Sequence, residues 1–98
     1  MITKNAILSA IRAHKPQLAS HGVSRIGLFG SYMREEQGLE SDIDILVDFE
    51  PEKETFDNFM NLCDDLENLF AGETVEVVTV NGLSPYIGRH ILEEVAYV

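Results

Sequence analysis

An α/β domain with helices packed on a sheet is the fold class this sequence predicts. Three observations predict it. Apolar residues at helical spacing alternate along the chain with segments of period two or of β-branched character. Apolar residues are 45% of the total, enough for a real core. The 98 residues fit one domain, residues 1–98, with no room for a second. A unit this small buries a modest fraction of its surface, so a homo- or hetero-oligomeric contact would add stability.

The first element is a helix. Ile2, Ala6, Ile7, Ala10 and Ile11 form one apolar stripe, Thr3 is a candidate cap, and Pro16 ends or kinks the helix. A second turn runs through Leu18 and stops at Gly22. Val23 to Phe29 reads as a strand with Gly30-Ser31 at its end. Residues 32–41 are rich in charge and read as a short helix followed by a loop. Asp42 to Phe49 is the clearest strand. Ile43, Ile45, Val47 and Phe49 share one face; Asp42, Asp44, Leu46 and Asp48 share the other.

After Pro51, an amphipathic helix is predicted from Phe56, Phe59, Met60, Cys63, Leu66, Leu69 and Phe70, with Gly72 as its stop. Thr74 to Val80 is a β-branched run broken by Glu76, which predicts a buried strand. Asn81-Gly82 marks a turn. Ser84-Pro85 reads as a cap with proline at the first helical position, and the last helix carries Ile87 and Ile91 to an end near Glu94.

Charge excludes some functions. Seventeen acidic residues face seven basic ones, for a formal net charge of −10. No basic stripe is present, so direct nucleic-acid binding, which depends on phosphate contact, is not expected. A basic protein partner fits better. A single cysteine, Cys63, allows no internal disulfide and suits a reducing compartment. The first residues lack a signal peptide's apolar run, and no stretch approaches the ~20 apolar residues of a membrane span. A cytoplasmic protein without a membrane partner is expected.

Three features carry chemistry. Gly30-Ser31 follows a strand, where a glycine lets backbone N–H groups approach phosphate oxygens. Alone, the pair is an ordinary strand-to-helix turn. Ten residues later, Asp42 and Asp44 occupy strand positions i and i+2, about 6.6 Å apart on one face. Two such carboxylates repel unless a cation lies between them. Mg²⁺ takes one or two carboxylates together with phosphate oxygens and water. The competing reading is a plain solvent face, to which Asp48 lends weight. Glu76 stands among Val75, Val77, Val78 and Val80, where a buried carboxylate needs a partner or a metal. If its strand neighbours that of Asp42, the three carboxylates converge. The competing reading is an exposed Glu76 paired with lysine or arginine. Four fixed positions arise by accident on the order of once in a thousand chains of this length. A phosphatase-type aspartate nucleophile is discounted, because here the apolar run follows the Asp-x-Asp pair instead of preceding it.

Gly30-Ser31 and Asp42-Ile43-Asp44 at this spacing resemble the motif of nucleotidyltransferases similar to DNA polymerase β. The wider stretches, residues 28–34 and Ser41 to Val47, look like the minimal nucleotidyltransferase (MNT) family, and the segment from Val75 to the end fits it too. The resemblance implies a mixed sheet flanked by helices, the nucleotidyltransferase fold. It implies ATP or another NTP as substrate, held by Gly30, Ser31, Arg34 and Ser41. It implies two Mg²⁺ ions at Asp42, Asp44 and Glu76, the three catalytic carboxylates. Arg34 has an alternative as an exposed cation offset by Glu35 and Glu36. Two positions depart from the family: Glu76 stands where Asp is usual, and Glu35 where many members carry glycine. The extra methylene at position 76 exceeds the ~0.5 Å tolerance of a catalytic constellation unless the backbone compensates.

Members of this size are often partners of HEPN-domain ribonuclease toxins. The resemblance thus implies an antitoxin that adenylylates a toxin's tyrosine. The alternative is a module with a weak or dead site that neutralises its toxin by binding alone; transfer to a small molecule is a third. His14, His21 and His90 lack metal spacing and are expected at the surface. Cys63 is expected in the core, not as a nucleophile. Packing is expected of Tyr32 and of the Phe56–Phe70 stripe.

Overall fold

The computed structural model describes residues 2–98. Thr3 opens the first helix, α1 (Lys4–Ala13): its Oγ1 accepts the Ala6 N–H at 3.2 Å. His14 separates α1 from α2 (Lys15–Ala19). Pro16 lies in the first turn of α2, where its missing N–H leaves no helical bond unmade. Gly22 then turns the chain at φ +85° into β1 (Val23–Phe29).

β2 (Ile43–Phe49) returns antiparallel to β1, and α3 (Phe56–Leu69) crosses over to β3 (Val75–Thr79), which lies parallel to β2. Parallel neighbours need such a crossover; antiparallel ones do not. A single 3₁₀ turn (Val80–Gly82), α4 (Gly88–Glu94) and a two-residue strand β4 (Ala96–Tyr97) complete the chain. The sheet order is β3-β2-β1-β4, with β4 antiparallel to β1. The sheet is therefore mixed, as the family resemblance implies.

The core lies on one sheet face. Ile43, Ile45, Val47 and Phe49 pack there with Ile26 and Leu28 against Ile7, Ile11 and Leu18 of α1 and α2 and Leu62, Leu66 and Phe70 of the α3 end. Full burial of each such side chain contributes about 1.5–3 kcal/mol. By the period of two, Asp44, Leu46 and Asp48 point to the opposite face.

The structure corrects five expectations. The last helix begins at Gly88, with residues 85–87 in a turn, instead of at Pro85. Residues 31–35 form turns instead of a short helix. Glu35 has φ +59°, a left-handed conformation that stops helical propagation and explains why glycine suits this position. Phe56 and Met60 of the predicted stripe are exposed, because the buried line runs through Leu62 and Leu66. The Val75–Thr79 strand is an edge strand, so it is half-exposed and Glu76 is exposed. β4 was not expected. Its signal is Gly27: a Cβ there would meet Ala96 O and Val95 Cγ2, both at 2.7 Å, so only glycine admits the close approach of the C-terminal segment.

Candidate active site

The site is assembled on the sheet face that α1–α3 leave open. Asp44 sits on the central strand β2, opposite Phe29 of β1 on one side and Glu76 of β3 on the other. Directly opposed residues share a face. Phe29 is thus an apolar neighbour of Asp44 on one side, and Glu76 adds a like charge on the other. Burial first, then the hydrogen bond and charge of Glu76, then the charge of Asp42, push the Asp44 carboxyl up to about 7; Arg34 opposes the rise. Asp42 lies just before β2, half-buried and within electrostatic reach of Asp44.

Asp48 has the opposite fate. It lies across the ladder from Arg25, whose Nη2 donates to Asp48 Oδ2 at 3.0 Å. Arg25 also stacks over Tyr97 at 4.5 Å. Asp48 is thus an ordinary ion-paired face residue, whereas Asp44 faces acidic neighbours. Glu76 is exposed, as the competing reading had it, but among the described residues it has no lysine or arginine ion partner.

Gly30 forms the corner above Asp44. Its φ is +81°, and a Cβ there would overlap Asp44 Oδ2 and lie 2.9 Å from Asp44 Cγ. Glycine is therefore required twice, by the backbone conformation and by the carboxylate pressed against it. Ser31 is half-buried next to it, and Tyr32 is buried in the core as a packing residue. Ser41 caps the loop before β2: its Oγ accepts the Gly38 N–H at 2.9 Å.

Glu94 is the residue that sequence reasoning missed. Its Oε2 accepts the Gly30 N–H at 2.8 Å, and its Oε1 accepts Arg34 Nη1 at 2.6 Å. Arg34 also donates more weakly to Glu36 at 3.3 Å. Burial opposes ionisation of Glu94, but the hydrogen bonds from Arg34 and Gly30 outweigh it and hold the carboxyl below its usual range. The β1–β4 register pairs Gly27 with Tyr97 and Leu28 with Ala96. Continuing that register by two residues sets Glu94 opposite Gly30. The signal was the short apolar tail, which has strand character once Gly27 is seen as its landing place.

Between this face and the segment leading into α4 lies a cleft of about 420 Å³, lined by Phe29, Asp44, Glu76, Leu83, Ser84 and Ile87 among others. A second cavity, of about 550 Å³, runs on past Gly30, Arg34 and Glu94 and shares Phe29, Ile87 and Ile91 with the first. Together they join the carboxylates to the glycine corner. The donor set suits a hard divalent cation: carboxylate oxygens only, with an excess of negative charge that a cation would relieve. Among the described residues, no three His, Cys, Asp or Glu side chains are arranged to hold a metal by themselves. The three-way meeting expected of Asp42, Asp44 and Glu76 is thus not preformed; the pair standing side by side is Asp44 and Glu76.

The other candidates fall away. His14 and His90 are exposed. His21 is not a free surface residue: its Nε2 lies 2.6 Å from Asp65 Oδ2, tying the α2–β1 turn to α3. Cys63 is half-buried on α3, and burial pushes its thiol up, away from nucleophilic use. Among the described residues no helix is long and apolar enough to cross a membrane.

Comparison with known proteins agrees with this geometry. Residues 14–97 match the family described as polymerase beta, nucleotidyltransferase. Over its whole length the chain is 43% identical to protein adenylyltransferase MntA of Thermococcus cleftensis, covering 98% of that protein. A solved structure assigned as a minimal nucleotidyltransferase superposes with a TM-score of 0.82 at 32% identity, over 97% of this chain and 95% of that one. A toxin–antitoxin structure with AMP-PNP shares the fold at a TM-score of 0.66 and 23% identity, over 98% of this chain and 72% of that one. The chain belongs to the polymerase β nucleotidyltransferase family, as one of its minimal members.

Proposed function

We propose that this nucleotidyltransferase moves AMP from ATP to a hydroxyl group of a protein partner and acts as the antitoxin of a HEPN-type toxin. One observation carries the reading: Asp44 and Glu76 stand side by side across the β2–β3 ladder, directly below the Gly30 corner. In this reading Gly30, Ser31, Arg34 and Ser41 hold the nucleotide, and Asp42, Asp44 and Glu76 hold two Mg²⁺ ions. Bound Mg²⁺ would neutralise charge on the triphosphate and polarise its phosphorus. The acceptor oxygen bonds to the α-phosphorus as the bond to the β-phosphate oxygen breaks, and pyrophosphate leaves. The acceptor proton passes to the carboxylate of Glu76 or Asp44 acting as general base. The rest of the catalysis is positioning and charge stabilisation.

The relative from Thermococcus cleftensis, a protein adenylyltransferase, supports a protein acceptor. The toxin–antitoxin structure with AMP-PNP supports an adenine nucleotide and a toxin partner. The net charge of −10 suits a partner with a basic, RNA-binding face. Incubating the chain with its cognate toxin, ATP and Mg²⁺ should add adenylyl mass to the toxin, and Asp42→Ala should abolish the addition. A tight complex with no adduct would establish neutralisation by binding alone instead.

A further inference from the structure

We propose that the Glu94 carboxylate is the resident occupant of the triphosphate corner, and that nucleotide enters by displacing it and releasing the end of α4. The inference rests on the function proposed above.

Two donors expected to hold phosphate are already engaged. The Gly30 N–H goes to Glu94 Oε2 and an Arg34 N–H goes to Glu94 Oε1. A carboxylate and a phosphate present the same chemistry to such donors: two or more anionic oxygens accepting charge-assisted hydrogen bonds. One backbone N–H cannot serve both well. Electrostatics adds to the exclusion, because an ionised Glu94 beside the corner repels an incoming triphosphate. The residue is held ionised by the same two bonds.

The architecture makes displacement inexpensive. Glu94 is the last residue of α4, which has only seven residues, and β4 after it pairs with β1 over only two. Leu92 on α4 and Ile87 at its start are exposed, so little packing holds the helix down. The cavity beside Gly30 and Arg34 is already about 550 Å³ and has α4 as its other wall. Withdrawal of Glu94 turns Arg34 from an internal ion pair into a phosphate ligand without moving β1 or β2.

The test is calorimetric titration of the full chain with ATP and Mg²⁺, and separately with inorganic tripolyphosphate and Mg²⁺. Glu94→Gln removes the charge and keeps the shape. It should bind both probes about tenfold more tightly than wild type, the difference made by one charge-assisted hydrogen-bonded competitor. In the wild-type chain, saturating ATP should speed amide hydrogen exchange at Val95 and Val98, whose N–H groups bond Ile91 O and Ile26 O at 2.9 Å. Wild type binding ATP while Glu94→Gln binds equally or more weakly overturns the displacement and leaves the proposed function intact. No binding by either chain overturns that function, and the displacement with it. Should Glu94→Gln not fold, slower exchange at Val95 and Val98 on ATP binding to wild type overturns the displacement by itself.

Discussion

Asp44 and Glu76 are register partners on parallel β2 and β3, and burial, followed by the hydrogen bond and charge of Glu76, pushes the Asp44 carboxyl up to about 7. Its folded-state value thus lies above the ~3.9 of an unfolded aspartate. The unfolded chain releases this proton first, so the fold gains stability from it below about pH 4 and loses that gain as pH rises through about 7. Denaturant titrations of the metal-free chain should show stability falling across that window. Asp44→Asn should flatten the slope and raise stability at pH 8, while abolishing transfer. A pH-independent wild type would mean that neither burial nor Glu76 raises the Asp44 carboxyl.

Gly30→Ala should damage both fold and site. The left-handed backbone alone costs an L-residue about 1–2 kcal/mol, and the new methyl group would collide with Asp44 Oδ2. A Tm drop together with loss of nucleotide binding is expected. Gly38→Ala is the control, because a Cβ there meets nothing within 4 Å. Thermal melts and ATP titration of the two variants check the contrast.

Glu76 separates chemistry from stability. Its side chain is exposed on an edge strand, so Glu76→Gln should change stability by less than about 0.5 kcal/mol. Transfer should nevertheless fall by about 10²–10⁴-fold, the usual contribution of a general base. Glu76→Asp restores the family's usual residue and should retain adduct formation. Adenylyl incorporation measured beside thermal melts distinguishes this from a structural role.

Two residues of one helix should behave in opposite ways. Leu62 is fully buried, and Leu62→Ala should cost about 2–5 kcal/mol through lost contacts and a cavity. Phe56 is 78% exposed, and Phe56→Ser should cost less than about 0.5 kcal/mol. Urea titrations of both variants provide the measurement.

Much of the site was legible because its parts are local. Asp44 lies on β2 with Asp42 just before it, and Gly30-Ser31 follows β1 directly. Glu76 was found for a reason that does not hold. Burial among valines was expected, yet β3 is an edge strand and Glu76 is exposed; what brings it to Asp44 is register. The α3 stripe was read one residue line too far toward Phe56 and Met60, since helical spacing shows that a face is apolar but not which part of it the sheet covers. Glu94 was missed because it lies 64 residues from Gly30 in sequence, and the apolar tail that hints at β4 shows its landing place only in the fold.

The sequence by itself determined the strand that carries Asp44, the capping by Thr3, the stop at Gly22 and the place of Gly30-Ser31 at the end of β1. These follow from periodicities and backbone preferences acting over a few residues. Only the tertiary structure decided the strand order, the exposure of Glu76, the landing of the C-terminal strand on Gly27 and the seating of Glu94 against Gly30 and Arg34. Each of those depends on which distant segments meet, a choice made by packing and register between strands, to which no local spacing corresponds.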